Sequence, residues 1–165
     1  MNLLLFESGE REGNDRVRLR GPRLQHLREV WRARPGHRVA IGEIGGRLGT
    51  ATLLAIDERS ALLAVELDRE PPPRLPLTLV LALPRPKMLR RLLRASAEFG
   101  VETLLLVNCE RVEKSYWQSE LLAPASLRAF LLAGAAQARD TRLPSLRLAR
   151  RFRPFAEDEL PALCA

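Results

Sequence analysis

The sequence predicts an α+β protein in two parts: a small β-barrel with a single helix, then part of an open α/β domain with a parallel sheet. Three observations carry this. Residues 1–68 hold several short, alternating apolar runs separated by Gly- and Asp-marked turns, the pattern of a small barrel. Residues 69–76, REPPPRLP, contain three consecutive prolines, which favour an extended, semi-rigid spacer. From residue 77 the pattern becomes apolar run, amphipathic segment, apolar run, which is a β-α-β unit. The predicted division is a barrel domain over 1–68, a Pro-rich linker over 69–76 and an α/β segment over 77–165.

The elements follow in order. Residues 3–6 read as a short strand, and Val17 and Leu19 alternate with arginines in a second. Gly21-Pro22 opens a helix with Pro in the tolerated first turn, and Leu24, Leu27, Val30 and Trp31 form its apolar face. Arg34-Pro35-Gly36 ends it; strands over 38–44 and 47–56 flank Gly45-Gly46, a hairpin turn. After a turn at 57–60 comes a strand over 61–68. Beyond the spacer, a strand over 77–83, a helix over 87–99, a strand over 103–107, an irregular polar stretch over 108–120, a helix over 124–138 and a strand over 146–149 complete a β-α-β-α-β half-sheet. Right-handed crossovers place the loops after its strands on one edge. Residues 155–163 start another helix or loop. The half-sheet is short for a ligand-binding α/β domain, which makes the chain read as a segment of a longer protein.

Charge narrows the partner. The formal net charge is +7 and the pI about 10.8, favouring a polyanion, nucleic acid before membrane. The excess is clustered: residues 16–47 hold nine Arg against two acids, and residues 139–153 hold six Arg against one. Between residues 84 and 97 lie Arg85, Lys87, Arg90, Arg91 and Arg94 with no acid until Glu98. A basic cluster that begins where a parallel strand ends is a place to hold phosphate. The two cysteines, Cys109 and Cys164, lack metal or redox spacing, and with two histidines in the chain no zinc site is expected. The N-terminus lacks a signal-peptide pattern and no run reaches the length of a membrane span, so a cytoplasmic location is expected.

Motifs exclude several chemistries. The loop after the strand over 77–83 is Pro84-Arg85-Pro86-Lys87, so nucleotide binding by a glycine loop is not expected. No G-x-S-x-G is present, which removes the hydrolase elbow. His26 reads first as a structural or surface residue, though Arg23, Arg28 and Arg32 nearby admit a nucleic-acid face; Trp31 reads first as core. Gly100 reads as a helix cap. Arg111 and Lys114 follow the strand over 103–107 at the edge where α/β sites lie; Gln137 and Arg139 end the second helix, and Arg142 lies in the next loop.

These pieces, in this order, resemble the bacterial 16S ribosomal RNA uridine-N3 methyltransferases of the knotted SPOUT class. Residues 21–36, GPRLQHLREVWRARPG, resemble the family's His-x-x-x-Val-x-Arg-x-x-x-Gly segment through His26, Val30, Arg32 and Gly36. Lys87-Met88 with Ala97-Glu98-Phe99-Gly100-Val101 resembles its Lys-Met … Glu-Leu-Gly-Val helix, and Cys109-Glu110-Arg111 its Ser-Glu-Arg. Gln137 and Leu143-Pro144 resemble its Glu-Gln-x-x-Arg … Val-Pro region, with Ala136 at the family's Glu and Arg139-Asp140 where it has Gly-Arg.

The resemblance implies an N-terminal PUA-like β-barrel that grips RNA, followed by the N-terminal half of a Rossmann-like SPOUT methyltransferase domain. It also implies S-adenosylmethionine as cofactor, held mainly by a glycine-rich knot absent from these residues, with no metal. The implied partners are small-subunit rRNA and, for the full-length protein, a second copy; no membrane is implied. The expected RNA-binding residues are Arg23, His26, Arg28, Arg32, Arg85, Lys87, Arg90, Arg91 and Arg142. Catalytic residues stay unassigned, with Glu98, Arg111, Gln137 and Arg139 as candidates. The segment alone is expected to be inactive. The alternatives are a non-catalytic RNA-binding or ribosome-assembly module, and a protein-interaction domain whose basic surface is compositional.

Overall fold

The computed structural model describes residues 2–164. Its contacts divide the chain into two units, Met1–Pro72 with Ala136–Arg142, and Pro73–Ala135 with Leu143–Ala165. The spacer is therefore not the sole crossing between them.

The first unit contains β1 (Leu4–Phe6), β2 (Arg16–Leu19), α1 (Gly21–Gln25), β3 (Arg38–Glu43), β4 (Leu48–Ile56) and β5 (Ala61–Arg69). They form one sheet in the order β1-β3-β4-β5-β2. β1 runs parallel to β3 and the other pairings are antiparallel. The two edges, β1 and β2, are not paired with each other. The expected small barrel is a curled, mixed half-barrel, in which register shifts between β4 and β5 mark irregularities of the kind that bend a strand. Alternation selects the inner face: Val17 and Leu19 in β2 are fully buried between arginines, and Phe6, Ile41, Leu53 and Leu63 join the same core. At the β3–β4 hairpin, Gly45 takes φ +78°, a conformation that favours glycine.

α1 continues directly into a π-helical turn, His26–Val30. Leu24 and Leu27 are buried, as the periodicity predicts, and Trp31 packs partly against the core. Val30 does not follow: it is 64% exposed. The wider π turn breaks the 3.6-residue phase that would have brought it inward.

Residues Ala136–Arg142 complete this unit. Thr141 is fully buried; its hydroxyl donates to the Gly46 carbonyl at 2.5 Å, and the Gly45 N–H donates to the Thr141 carbonyl at 2.8 Å.

The second unit contains β6 (Leu75–Ala82), α2 (Pro86–Glu98), β7 (Val101–Val107), α3 (Pro124–Ala138, its last residues in the first unit) and β8 (Ser145–Ala149). The sheet order is β6-β7-β8 and both pairings are parallel. α4 (Phe152–Pro154), a π turn at Phe155–Glu159 and α5 (Leu160–Cys164) follow. The stretch expected to be irregular holds two short 3₁₀ turns, Lys114–Gln118 and Glu120–Leu122.

β7 is central and buried on both faces from Leu104 to Val107, as a parallel strand flanked on both sides should be. β6 is equally apolar, yet Leu75, Leu77 and Val80 are 47%, 41% and 36% exposed because it is an edge strand. α2 buries Leu89, Leu93, Ser96 and Ala97 along one stripe. α3 buries Leu127, Leu131 and Ala135. A Cβ at Gly134 would strike the Arg94 carbonyl, so α2 and α3 approach closely there. Phe155 seals the sheet against Leu105 and Val107.

Candidate nucleic-acid interface

The carboxyl edge of the parallel sheet is built by the residues that follow β6, β7 and β8. Leu83 N–H donates to the Val107 carbonyl and Asn108 N–H to the Ala149 carbonyl, both at 2.9 Å, so pairing persists beyond the strand ends. This fixes where Asn108 leaves the sheet. Its Oδ1 accepts a 2.9 Å hydrogen bond from the Trp117 indole Nε1. The Arg150 guanidinium lies over the Trp117 ring, 5.2 Å from its centroid. Asn108, Glu110, Lys114, Trp117, Arg150 and Phe152 line an open cleft of about 420 Å³. Cys109 is half-buried and packs on the Leu105–Val107–Phe155 cluster, as a small hydrophobe should. Arg111 is exposed in the turn closed by Val112 N–H and the Cys109 carbonyl at 3.0 Å.

A basic surface begins at the same edge. Arg85 is the N-cap of α2, and Pro86 and Lys87 open the helix. Arg85, Lys87, Arg90, Arg91 and Arg94 are all exposed. The buried stripe of α2 lies on its other side, so the arginines at 90, 91 and 94 face away from the core. The guanidinium groups of Arg90 and Arg94 lie 6.0 and 5.5 Å from the centroid of the Phe130 ring of α3. That contact orients two cations without neutralising them.

Arginines of the first unit behave differently. Arg23 donates to both carboxylate oxygens of Glu10, at 2.6 and 2.7 Å, and to the Leu5 carbonyl at 2.8 Å. Arg11 pairs with Glu43 at 2.6 Å, and Arg18 pairs with Glu12. The Arg18 hydrogen bond holds the Glu12 carboxyl below its usual range, and Glu12 in turn raises Arg18. Asp57 accepts from the backbone N–H groups of Arg59 and Ser60 at 2.6 and 2.8 Å, which lowers its pKa. Arg142 is half-buried and donates to the Pro72 carbonyl. Arg23 and Arg142, expected to face RNA, each donate to acceptors inside the unit. His26 is also turned inward; its ring meets Trp31 edge-on at 4.9 Å, and its Nε2 is buried with no hydrogen-bond partner.

Arg28 and Arg32 are exposed, and with Arg34 they rim a depression that also contains Asp57 and Glu58. Arg32 has φ +48°. It turns the chain out of the helix so that Ala33 N–H reaches the Leu27 carbonyl at 2.9 Å. The left-handed conformation costs a non-glycine residue about 1 kcal/mol.

The four catalytic candidates do not form one constellation within either unit. Arg111 lies at the carboxyl edge of the sheet, whereas Glu98 ends α2 at the opposite edge, beside the start of β7. Gln137 and Arg139 belong to the first unit. The Gln137 carbonyl accepts from Asn2 Nδ2 at 2.9 Å, and Arg139 occupies a left-handed position at φ +59°. Trp117, Arg150 and Phe152, which build the cleft, were not singled out by sequence reasoning. The legible signal was Phe152 set within the basic run Arg150-Arg151-Phe152-Arg153.

Among the described residues no group of three His, Cys, Asp or Glu could hold a metal ion. None of their helices is long and apolar enough to cross a membrane. The cleft suits S-adenosylmethionine poorly: the segments after the three strands, 83–85, 108–113 and 150–151, contain no glycine to bare backbone N–H groups, and two cations, Arg150 and Lys114, outnumber the one carboxylate, Glu110, that could attract a sulfonium.

Residues 70–162 match the family model described as RNA methyltransferase domain. The chain is 32% identical over 157 residues to ribosomal RNA small subunit methyltransferase E of Treponema pallidum, covering 94% of this chain and 59% of that protein. It is similar to the crystal structure of a probable rRNA methyltransferase from Porphyromonas gingivalis, with a TM-score of 0.71, 19% identity, and coverage of 94% of this chain and 63% of that one. The ribosomal RNA small subunit methyltransferase E from Neisseria gonorrhoeae, solved bound to S-adenosyl methionine, gives a TM-score of 0.67 at 20% identity, covering 88% and 60%. These structural likenesses show the fold. The chain spans about 59% of the length of the Treponema relative and 63% of a second one from Borreliella burgdorferi. With a family model matched over more than half its residues, this chain belongs to the RNA methyltransferase domain family.

Proposed function

We propose that this chain supplies the RNA-holding half-barrel and part of the catalytic domain of a methyltransferase acting on small-subunit rRNA. The reaction is transfer of a methyl group from S-adenosylmethionine to N3 of a uridine. The names of the relatives support the RNA class and the methyl donor, and the half-barrel supports a PUA-like reading of the first unit. The observation that carries the proposal is the exposed basic face of α2: Arg85, Lys87, Arg90, Arg91 and Arg94 run from the carboxyl edge of the sheet along the helix, and its one acid, Glu98, comes at the far end. An RNA backbone is the partner such a face fits.

The chemistry assigns the protein two tasks. N3 of uracil is a neutral imide nitrogen, so its proton must pass to water or a base before N3 attacks, and a cation near the ring carbonyls stabilises the imide anion that attacks. N3 also lies on the pairing edge, so the base must be unpaired before it can react. Holding the RNA backbone on Arg28, Arg32, Arg85, Lys87, Arg90 and Arg91 removes motion of the reacting partner before chemistry, which is entropic catalysis. When bound, S-adenosylmethionine supplies an activated methyl group. The donor pocket, in this reading, is completed by the part of the relatives that this chain does not span, in a SPOUT-type knot that also dimerises the full-length protein in the cytoplasm. The apolar, exposed edge strand β6 supports continuation of the sheet by further chain.

Filter binding of a small-subunit rRNA fragment tests the proposal. Replacing Arg28, Arg32, Arg90 and Arg91 together by Glu should abolish retention at moderate salt; unchanged retention sinks the assignment. Calorimetry of the 165-residue chain with S-adenosylmethionine should show no binding heat, and a measurable affinity contradicts the placement of the donor pocket.

A further inference from the structure

The cleft beyond the ends of β7 and β8 contains an aromatic side chain, Phe152, whose ring lies 6.5 Å from that of Phe155 yet stays half exposed. Phe155, three residues on, is 2% exposed and fills the core against Leu105 and Val107. Phe152 is 51% exposed and lines the cleft. Around it the polar groups are directional. Asn108 Oδ1 is engaged by the Trp117 indole, which fixes the amide so that its Nδ2 is the group left to donate. Glu110 brings the one carboxylate into a cleft that otherwise carries Lys114 and Arg150. A carboxylate there repels phosphate but accepts from a ring N–H. A donor and an acceptor lining one cleft, with a half-exposed aromatic ring and two cations, match the edge, face and phosphate of a nucleotide. At about 420 Å³ the cleft is at the small end of ligand sites and takes one nucleotide, not a duplex.

We propose that this cleft is a subsite for one unpaired nucleotide of the bound RNA. The base stacks on Phe152, its pairing edge meets Asn108 Nδ2 and Glu110, and its phosphate lies toward Lys114 and Arg150. Arg150 is held in place by its stacking on Trp117 and by donation to the Trp117 carbonyl at 3.5 Å. The proposal rests on the reading that the chain handles RNA, and it adds which surface tells an unpaired base from backbone.

The test uses the whole chain with Trp31→Phe as background, leaving Trp117 as the sole indole. The probes are a single-stranded uridine hexamer and an abasic ribose-phosphate hexamer of the same charge. The uridine hexamer should change Trp117 fluorescence and bind about tenfold more tightly than the abasic one. Phe152→Ala should erase that difference, and Phe152→Tyr should keep it. Equal affinity for both hexamers, or a difference that survives Phe152→Ala, overturns the subsite. So does a Phe152-dependent fluorescence change with S-adenosylmethionine in place of RNA. If a small-subunit rRNA fragment binds normally while the hexamers show no base dependence, the subsite fails and the functional reading stands. If neither the fragment nor the hexamers bind, the functional reading itself falls.

Discussion

The arginines of the half-barrel and those of α2 look alike in the sequence and do different work in the structure. In the half-barrel, Arg11, Arg18 and Arg23 each meet a carboxylate, from Glu43, Glu12 and Glu10. On α2, Arg90 and Arg94 meet an aromatic ring, which keeps their charge available. The lesson is that local excess of base over acid locates RNA-facing cations only where no distant acid folds back onto them. Arg23 and Glu10 lie 13 residues apart, and Arg11 and Glu43 lie 32 apart. No window of sequence shows those pairs.

Removing a fold-holding arginine tests the contrast most severely. Arg23→Ala removes the ion-pair partner of Glu10, leaving it the Glu7 N–H alone, and takes one donor from the Leu5 carbonyl. It should cost about 1–2 kcal/mol in urea unfolding while changing rRNA affinity less than about twofold, the effect of a rim contact at most. A large loss of affinity with intact stability would erase the distinction between the two sets. Phe130→Ala should follow at about 1 kcal/mol, since it removes two exposed cation–π contacts. It should also loosen RNA binding by a few fold, because Arg90 and Arg94 lose their common support. Affinity that rises instead would mean that the ring competes with RNA for the cations.

Arg32 offers the reverse sign. At φ +48° it sits where glycine is unstrained, so Arg32→Gly should raise stability by roughly 0.5–1 kcal/mol. RNA binding should weaken at the same time, which separates a cation kept for function from one kept for the fold. Arg32→Ala, strained and uncharged, should weaken binding without the gain. The smallest effect concerns pH. The folded pKa of Asp57 is depressed by the N–H groups of Arg59 and Ser60. Its contribution is therefore present above the ordinary carboxylate range and fades as pH falls through the lowered value. The melting temperature of Asp57→Asn should lie below that of the wild type at pH 7 and converge with it in acid. A gap that widens in acid would reverse the sign.

Much of the architecture was legible before coordinates. Short alternating runs such as Val17 and Leu19 gave the strands of the first unit, and the stripe Leu127, Leu131, Ala135 gave α3. Gly45-Gly46 gave the hairpin. What stayed hidden depends on distant partners. A closed barrel and an open half-barrel share one strand pattern; only the missing β1–β2 pairing separates them. An apolar run reads as buried whether its strand is central, like β7, or at an edge, like β6. The π turn shifted Val30 outward without any sequence signal. At the cleft, the loop positions of Glu110, Arg111 and Lys114 were foreseeable from the strand ends. Trp117 and Arg150 stand 33 residues apart, and only the fold brings them together.

The central claim is that α2 presents unneutralised charge to RNA while the carboxylate-paired arginines of the half-barrel, Arg11, Arg18 and Arg23, do not. Salt dependence measures this directly. The logarithm of rRNA affinity should fall linearly with the logarithm of salt concentration, and replacing Arg90, Arg91 and Arg94 by Gln should make the slope shallower by about 2. Replacing Arg11, Arg18 and Arg23 by Gln should leave that slope unchanged. A slope that ignores the α2 substitutions, or responds as strongly to the half-barrel ones, would contradict the account.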